Sequence, residues 1–262
     1  MLARRPVSYI PTEEDTYENL KYMCFFKLKK LSLFQKDGRM AGILTLDRNG
    51  IAAAVALGIL IFILGGNYGV FFLLDMLLFL AMAAVVTNVG AGRKKGIGVY
   101  ERSRGWRNVL SNGIAPLGIV LLYFANSHYG FAQPQSIVLM YVASVAAISA
   151  DKFASELGVL DGEPVMLVTL RRVKKGVSGA VTLLGLASGA VASLIIGLSL
   201  LAVYGSPALI LVVVVLAAGV AGNLVDSLFG YWEEKGVGNK YTSNLACAIA
   251  GAAVCAALIL VF

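Results

Sequence analysis

The chain has 262 residues, 58% of them hydrophobic, and its mean hydropathy is +0.80. This composition excludes a soluble globular domain and indicates a protein that is integral to a membrane. The net charge of +7 does not require a nucleic-acid partner, because basic loops that fix topology and attract anionic headgroups explain most of such an excess. We therefore predict membrane lipids, and no nucleic acid, as partners.

The first 45 residues precede any long apolar stretch, and we predict that they form a cytoplasmic leader. Residues 17–36 combine aromatic side chains with several lysines. This pattern is typical of an amphipathic helix lying on an anionic leaflet, but a plain solvated leader fits it equally well. Residues 46–262 form the second predicted domain, which crosses the membrane and carries the chemistry.

Long stretches without charge separate the basic blocks of the second domain. Asp75 is the one charged residue in 49–92, and there is none in 108–150, 176–225 or 241–262. About 20 apolar residues cross about 30 Å of hydrocarbon, so the first three stretches predict two spans each and the last predicts one. The expected spans are 49–66, 69–90, 109–126, 134–150, 178–203, 207–228 and 242–261. The fold class is therefore all-α, a polytopic bundle of about seven transmembrane helices.

This topology puts all 22 Lys and Arg on one side of the membrane. The positive-inside rule assigns that side, and with it the N-terminus, to the cytoplasm. Three loops reach this face, at 93–107, 151–175 and 226–241. Because 14 of the 15 acids also lie there, we expect an active site that faces the cytoplasm.

The second loop opens with an acidic motif, DKFASELG (151–158). If it is helical, Asp151 and Ser155 share a face because they are four residues apart, and Glu156 lies one residue further round. Carboxylates and a hydroxyl supply the oxygen ligands that Mg²⁺ prefers. The alternative is a helix end with ordinary solvated acids.

The same loop ends with the segment KKGVSG, just before the fifth predicted span. Small residues at a helix N-terminus leave N–H groups free, and the helix dipole favours an anion there. The candidate anion-binding residues are Lys174, Lys175, Gly176, Ser178 and Gly179. The alternative is a topogenic basic cluster followed by a flexible cap.

A third acid, Asp226, follows 50 uncharged residues and is flanked by Asn223 and Ser227. An ionisable group at the edge of a span is a functional hypothesis by default. The alternative is an acid that merely reaches interfacial water.

The first loop adds arginines and amides near the start of the third span. Arg104 and Arg107 suit bidentate recognition of phosphate. Asn108 and Asn112 are four residues apart on one helical face, where they bind a ligand or bridge helices.

Six motifs occur in this order along the chain: LDRNG (46–50), RNVLSNG (107–113), DKFASELG (151–158), KKGVSGAVTLLG (174–185), GNLVDSLFG (222–230) and TSNLACAIAGA (242–252). This series resembles the transmembrane-protein-19-like family, also labelled domain of unknown function 92, which includes phytyl-phosphate kinase. The family is distantly similar to polyprenol kinases and CDP-diacylglycerol synthases. The likeness covers about residues 46–262. The fourth motif departs from the family pattern P-P-G-T-N-G-G-V-S-L-L-G, because lysines replace both prolines and the Asn is also replaced.

The resemblance implies that a phosphoryl group passes from CTP, or another nucleotide, to an isoprenyl monophosphate such as phytyl or geranylgeranyl phosphate. Together with the residue chemistry, it predicts Asp151, Ser155, Glu156 and Asp226 as catalytic, with the three acids holding Mg²⁺. The predicted substrate and nucleotide ligands are Arg104, Arg107, Asn108, Asn112, Lys174, Lys175, Gly176, Ser178, Gly179, Ser227 and Asn244. Two alternatives remain open: a cytidylyltransferase that makes a CDP-activated lipid, and a lipid or solute transporter without catalysis.

Overall fold

The computed structural model describes residues 45–101, 103–160 and 162–260, so the predicted leader lies outside the described residues apart from residue 45. The described chain is mainly helical, and the predicted all-α, polytopic membrane bundle is confirmed. The helices are α1 (Arg48–Leu64), α2 (Gly69–Asn88), α3 (Ala91–Gly96), α4 (Trp106–Tyr129), α5 (Pro134–Gly158), α6 (Leu183–Leu198), α7 (Leu201–Tyr204), α8 (Leu209–Glu233) and α9 (Lys240–Ile259). Strands β1 (Val165–Met166) and β2 (Ala180–Val181) form a small antiparallel sheet.

Within the described residues, six helical segments are long and apolar enough to cross a membrane. They include α2 with the 3-10 turn before it, and α6 together with α7. The remaining predicted span, α1, has 17 residues, which is the lower end of the usual range of about 17–25. The bundle therefore agrees with the prediction of about seven spans.

Two spans extend beyond their predicted ends and carry polar residues with them. Helix α5 continues to Gly158 instead of ending near 150, and α8 continues to Glu233 instead of 228. The residues that extend α5 include Lys, Glu, Ala and Leu, which are good helix formers, so the change from apolar to charged sequence does not end this helix. Asp151 and Asp226 therefore lie on rigid helices at the end of the bundle.

The start of the fifth predicted span is wrong by five residues, because α6 begins at Leu183 and not at 178. Thr182 caps this helix, since its Oγ1 accepts a hydrogen bond from Gly185 N at 3.0 Å. Residues 176–181 form a turn and β2 instead. Gly176 and Gly179 have φ angles of +87° and +76°, in the region that residues with a Cβ avoid.

Helix α5 is the centre of the bundle, with 72% of its most apolar stretch buried. It packs against α2, α4, α6, α8 and α9. Small residues allow the close approach that helix association in lipid requires. A Cβ added to Gly222 of α8 would lie 2.5 Å from Ala147 Cβ of α5, and one added to Gly189 of α6 would lie 2.9 Å from Ala150 O.

The segments 93–105, 159–182 and 234–239, which connect the spans, meet at one end of the bundle, which we call the basic end. Lys94 Nζ lies 2.6 Å from Glu156 Oε2, and Glu234 accepts a hydrogen bond from Ser178 N at 2.8 Å. At the opposite end, the hydroxyls of Tyr68 and Tyr204 lie 3.4 Å apart. Polar chemistry is thus concentrated at the basic end.

Candidate active site

A polar cavity of about 470 Å³ lies at the basic end. Its walls come from the end of α5, the segment 176–182, the facing parts of α8 and α9, and α3 with the turn that follows it. The predicted site residues that line it are Asp151, Ser155, Glu156, Gly176, Ser178, Gly179, Asp226, Ser227 and Asn244. The structure therefore brings four of the six sequence motifs to one cavity.

Two carboxylates, Asp151 and Asp226, face each other where α5 meets α8. Both carboxyl groups line the polar cavity, where each lies close enough to influence the other electrostatically. The buried Oδ1 of Asp226 has no hydrogen-bond partner among the described residues. Adjacent carboxylates repel each other when both are ionised, so a pair with an unpartnered oxygen is suited to a divalent cation that prefers oxygen ligands.

The contact between Ala147 and Gly222 sets the position of this pair. Each lies one helical turn before one of the two acids, Ala147 before Asp151 and Gly222 before Asp226. Because Gly222 has no side chain, α8 approaches α5 more closely than any other residue would allow. Helix packing thereby fixes the separation of the two carboxylates.

Glu156 has different surroundings, because three cations surround its carboxylate. Lys94 Nζ donates to Oε2 at 2.6 Å, Arg104 Nη2 donates to Oε1 at 2.8 Å, and Lys152 Nζ also donates to Oε1. The Thr87 hydroxyl lies 3.1 Å from Oε1. Lys94 is only 1% exposed and Arg104 only 6%, so this cluster is enclosed by the protein.

The three predicted metal ligands therefore do not form one cluster. In the described part of the chain, no three His, Cys, Asp or Glu side chains are close enough to hold one metal ion. Asp151 and Asp226 remain together, whereas Glu156 is paired with Lys94, Arg104 and Lys152. A carboxylate held by three cations has little tendency to bind a metal cation as well.

Ser155 lies on the cavity wall, where its hydroxyl donates to Lys152 O at 3.1 Å. Ser227 donates to Asn223 O at 3.3 Å. Asn244 Nδ2 donates to Ser111 Oγ at 3.4 Å, which ties α9 to α4 beside the cavity. Ser155, Ser227 and Asn244 thus line the cavity, and their hydrogen bonds are made within their own helix or to a neighbouring helix.

The segment predicted to bind an anion at a helix start has other contacts. Lys174 and Lys175 are exposed, and neither of them lines the polar cavity. The backbone N–H of Ser178 donates to Glu234 at 2.8 Å, and its hydroxyl donates to Glu233 at 3.1 Å. Since Glu233 at the end of α8 and Glu234 just after it already accept these donors, Ser178 holds the segment against the end of α8 in the observed conformation.

Gly179 has a packing role in the same segment. A Cβ at this position would lie 2.5 Å from Ser227 O and 2.6 Å from Tyr231 N. Together with its positive φ, this contact requires glycine. The motif 174–185 thus closes one wall of the cavity through shape.

Arg104 is anchored by the LDRNG motif at the start of α1. Asp47 N donates to Arg104 O at 3.0 Å, and Arg104 N donates to Thr45 O at 2.9 Å. The Asp47 side chain caps α1 by accepting from Gly50 N at 2.7 Å. A Cβ on Gly50 would lie 2.7 Å from Arg104 O, so this motif fixes the backbone that presents the arginine.

A second cavity, of about 450 Å³, lies between α1, α2 and α4. Its walls are apolar except at one end, where Arg104, Asn108 and Asn112 line it. Several lining side chains are also exposed on the bundle surface, including Val55 and Ile59, 55% and 53% exposed. Asn112 Nδ2 donates to Asn108 O at 2.9 Å.

Arg107, which was also predicted to bind phosphate, is exposed, and its guanidinium lies 5.4 Å from the centre of the Trp106 ring.

Arg104 connects the two cavities. It lines the apolar cavity, and its guanidinium binds Glu156, which lines the polar cavity. A molecule with a long apolar chain and an anionic end would find both environments here.

Sequence reasoning missed Lys94, Lys152 and Thr87. Lys94 and its neighbours Arg93 and Lys95 form one basic run, so nothing in the sequence separates the buried lysine from the exposed cations beside it. Lys152 stands four residues before Glu156, the spacing of a helical ion pair, and this signal was available in the sequence.

Comparison with known proteins agrees with the fold and the motif order. The chain matches the family described as Integral membrane protein DUF92 over residues 40–259. It therefore belongs to this family of integral membrane proteins.

Two relatives extend over most of the chain. An uncharacterized membrane protein from Methanocaldococcus jannaschii is 33% identical over 244 residues, which cover 91% of this chain and 95% of the relative. Protein PGR from Arabidopsis thaliana is 30% identical over 212 residues, 71% of each chain. No solved structure matches.

Proposed function

We propose that this protein is a phosphotransferase that converts an isoprenyl monophosphate, such as phytyl or geranylgeranyl phosphate, into the diphosphate. CTP, or another nucleoside triphosphate, is the phosphoryl donor. The proposal rests on one observation above all: a polar cavity with a facing carboxylate pair is joined through Arg104 to an apolar cavity. The resemblance to polyprenol kinases motivates the choice of donor and acceptor.

The polar cavity suits the phosphates of the nucleotide. Its volume of about 470 Å³ falls within the range of about 300–1,000 Å³ that is usual for small-molecule sites. Asp151 and Asp226 would hold Mg²⁺, since this ion commonly binds proteins through one or two carboxylates and takes its other ligands from phosphates and water. When bound, it would neutralise charge on the phosphates and orient them for transfer.

The apolar cavity suits the isoprenyl chain. It opens on the side of the bundle where Val55 and Ile59 are exposed, so a lipid enters from the bilayer. Arg104, Asn108 and Asn112 mark the end where the phosphate would lie. This end borders the polar cavity through the ion pair of Arg104 and Glu156.

The reaction needs no protein nucleophile. An oxygen of the lipid monophosphate attacks the γ-phosphorus of the nucleotide and forms the new P–O bond. The bond from the γ-phosphorus to the β–γ bridging oxygen breaks, and its electron pair leaves on the nucleoside diphosphate. The acceptor is already ionised, so no proton has to be removed, and the contribution of the protein is positioning and charge stabilisation.

Label transfer tests the reaction. Purified protein in lipid nanodiscs is incubated with Mg²⁺, geranylgeranyl phosphate and CTP labelled at either the α- or the γ-phosphate. We expect γ-label, and no α-label, in a lipid diphosphate, with CDP as the second product. Label from the α-phosphate in the lipid, with release of pyrophosphate, would instead identify a cytidylyltransferase. No labelled lipid from either donor would contradict both enzymatic functions.

Variants of the carboxylate pair test the site. Asp151→Asn and Asp226→Asn each remove a charge without changing shape, and we expect a loss of at least about 100-fold in turnover. Removal of Mg²⁺ with EDTA should abolish activity in the unmodified protein. The control is Glu163→Gln, which removes an exposed carboxylate paired with Arg172 and should leave turnover unchanged. Full activity in both Asp variants would overturn the proposed metal site.

A further inference from the structure

We propose that Lys94, Arg104 and Lys152 form a binding site for a phosphate group, and that the Glu156 carboxylate occupies this site until the phosphate displaces it. We call the three side chains the cation cradle. The ligand is a phosphate monoester dianion. The identity of the lipid that carries it rests on the proposed function, whereas the anion site itself does not.

The first support is the charge of the cradle. Three cations contact a single carboxylate. A further acid, Glu101, is half exposed and stands 3.8 Å from Arg104 Nε. Among the groups in direct contact, three cations therefore face one carboxylate, and two of them, Lys94 and Arg104, are almost completely buried. An unbalanced buried charge is costly, and a phosphate dianion balances it better than one carboxylate does.

The second support is the arrangement of donors. Lys94 Nζ, Arg104 Nη2 and Lys152 Nζ donate to the two oxygens of Glu156. A phosphate group presents three terminal oxygens, so it offers more acceptor positions to the same donors. Lys94 is held in place independently, since its Nζ also donates to Val86 O and Thr87 O at 3.0 Å. The cradle therefore has a fixed member that does not depend on Glu156.

The third support is the location. Lys94, Lys152 and Glu156 line the polar cavity, whereas Arg104 lines the apolar cavity. The cradle thus lies at the boundary between the two. A phosphate bound there has access to an apolar chain on one side and to the Asp151–Asp226 pair on the other. The carboxylate pair differs from the cradle, because the ion pairs of the described residues include neither Asp151 nor Asp226.

The polar cavity offers space for the Glu156 carboxylate once phosphate displaces it. Glu156 is 12% exposed through its side chain, on the wall of a cavity large enough for solvent and ligand. A rotamer change of an unbranched side chain is sufficient to move its carboxylate toward the cavity.

Isothermal titration with inorganic phosphate, in EDTA and without nucleotide, tests the inference separately from catalysis. Removal of the competing charge in Glu156→Gln should tighten phosphate binding about tenfold. Lys152→Gln should weaken it about tenfold, because a cradle cation is lost. Lys95→Gln is the control: this lysine is exposed and lines neither cavity, and its replacement should change affinity less than about threefold.

If Glu156→Gln raises the affinity for phosphate and Lys152→Gln lowers it, the Glu156 carboxylate competes with phosphate for the cradle. Unchanged or weaker phosphate binding in a folded Glu156→Gln protein would overturn the proposal, because an ion pair with a purely structural role gives no gain. If Glu156→Gln does not fold, Lys152→Gln still decides, since affinity equal to that of the unmodified protein contradicts the cradle.

The source of the phosphate is distinguished in parallel titrations with geranylgeranyl phosphate and with CTP, again in EDTA. A gain in Glu156→Gln for the lipid alone assigns the cradle to the acceptor headgroup. A gain for CTP alone assigns it to the nucleotide. Either result supports an anion site, and the label-transfer experiment remains the independent test of the reaction.

Discussion

Replacement of Gly222 by Ala perturbs the geometry of the carboxylate pair without touching a polar group. The added Cβ would lie 2.5 Å from Ala147 Cβ and 2.8 Å from Cys247 O, whereas ordinary contacts begin at 3.4 Å. Because both neighbours are helix atoms at the centre of the bundle, α8 has to move away from α5 by about 1 Å. Asp226 lies one turn further along α8 and moves with it.

The expected effects differ in size for stability and for activity. Overpacking of a tight contact costs about 1–3 kcal/mol in unfolding free energy. A misplacement of about 1 Å in a reacting constellation costs about 100-fold in rate. Gly222→Ala should therefore remain folded in detergent, with a lowered melting temperature, and should lose about 100-fold in transfer of γ-label to lipid.

Gly118→Ala is the matched control on helix α4. A Cβ at this position has no atom within 4 Å in the described structure, so we expect no loss of stability and unchanged turnover. If Gly222→Ala has the same turnover as Gly118→Ala, the distance between the two helices does not govern the chemistry, and the assignment of the pair as the reactive centre is refuted.

Two further predictions concern the buried lysine and the apolar cavity. Lys94→Met should lower the free energy of unfolding by about 2–4 kcal/mol in denaturant titrations, because Val86 O, Thr87 O and Glu156 lose a buried donor. Lys95→Met, at an exposed position, should cost less than about 1 kcal/mol. Ala54→Phe should fill part of the apolar cavity and raise KM for geranylgeranyl phosphate more than for a shorter prenyl phosphate. Ala52→Phe, on the same helix but exposed, should not discriminate between chain lengths, and equal KM changes in both variants would contradict the assignment of this cavity.

Most of the architecture was predictable from hydropathy and charge. Long uncharged stretches between basic blocks gave the number and approximate positions of the spans, because the bilayer imposes a length on each helix. The boundaries at the basic end were less predictable. Asp151 and Asp226 lie on continuous helices, and a change to polar sequence marks the edge of the membrane and not the end of a helix.

Most residues of the candidate site could be predicted from the sequence, but which of them lie next to each other could not. Asp151 and Asp226 were expected near each other as acids at the end of two spans. Their proximity in the structure depends on the close approach of Gly222 and Ala147, which is a tertiary contact with no local sequence signal.

That Glu156 is separate from the other two acids could not be predicted without knowing that Lys94 is buried beside it. This lysine belongs to a run whose other members, Arg93 and Lys95, are exposed. It is buried because the chain turns sharply after α2 at Gly90, with φ +66°, and returns it to the carbonyls that end that helix. Only the folded structure shows that Lys94 forms a buried ion pair and is more than a basic residue that sets the membrane topology.

Binding of Mn²⁺, a spectroscopic substitute for Mg²⁺, tests the central claim most directly. Electron paramagnetic resonance titrations of the purified protein, with and without CTP, measure the affinity of the carboxylate pair for the ion. We predict that Asp151→Asn and Asp226→Asn each weaken Mn²⁺ binding at least about tenfold, and that Glu156→Gln leaves it intact. Unchanged Mn²⁺ affinity in both Asp variants, or its loss in Glu156→Gln alone, would contradict the account.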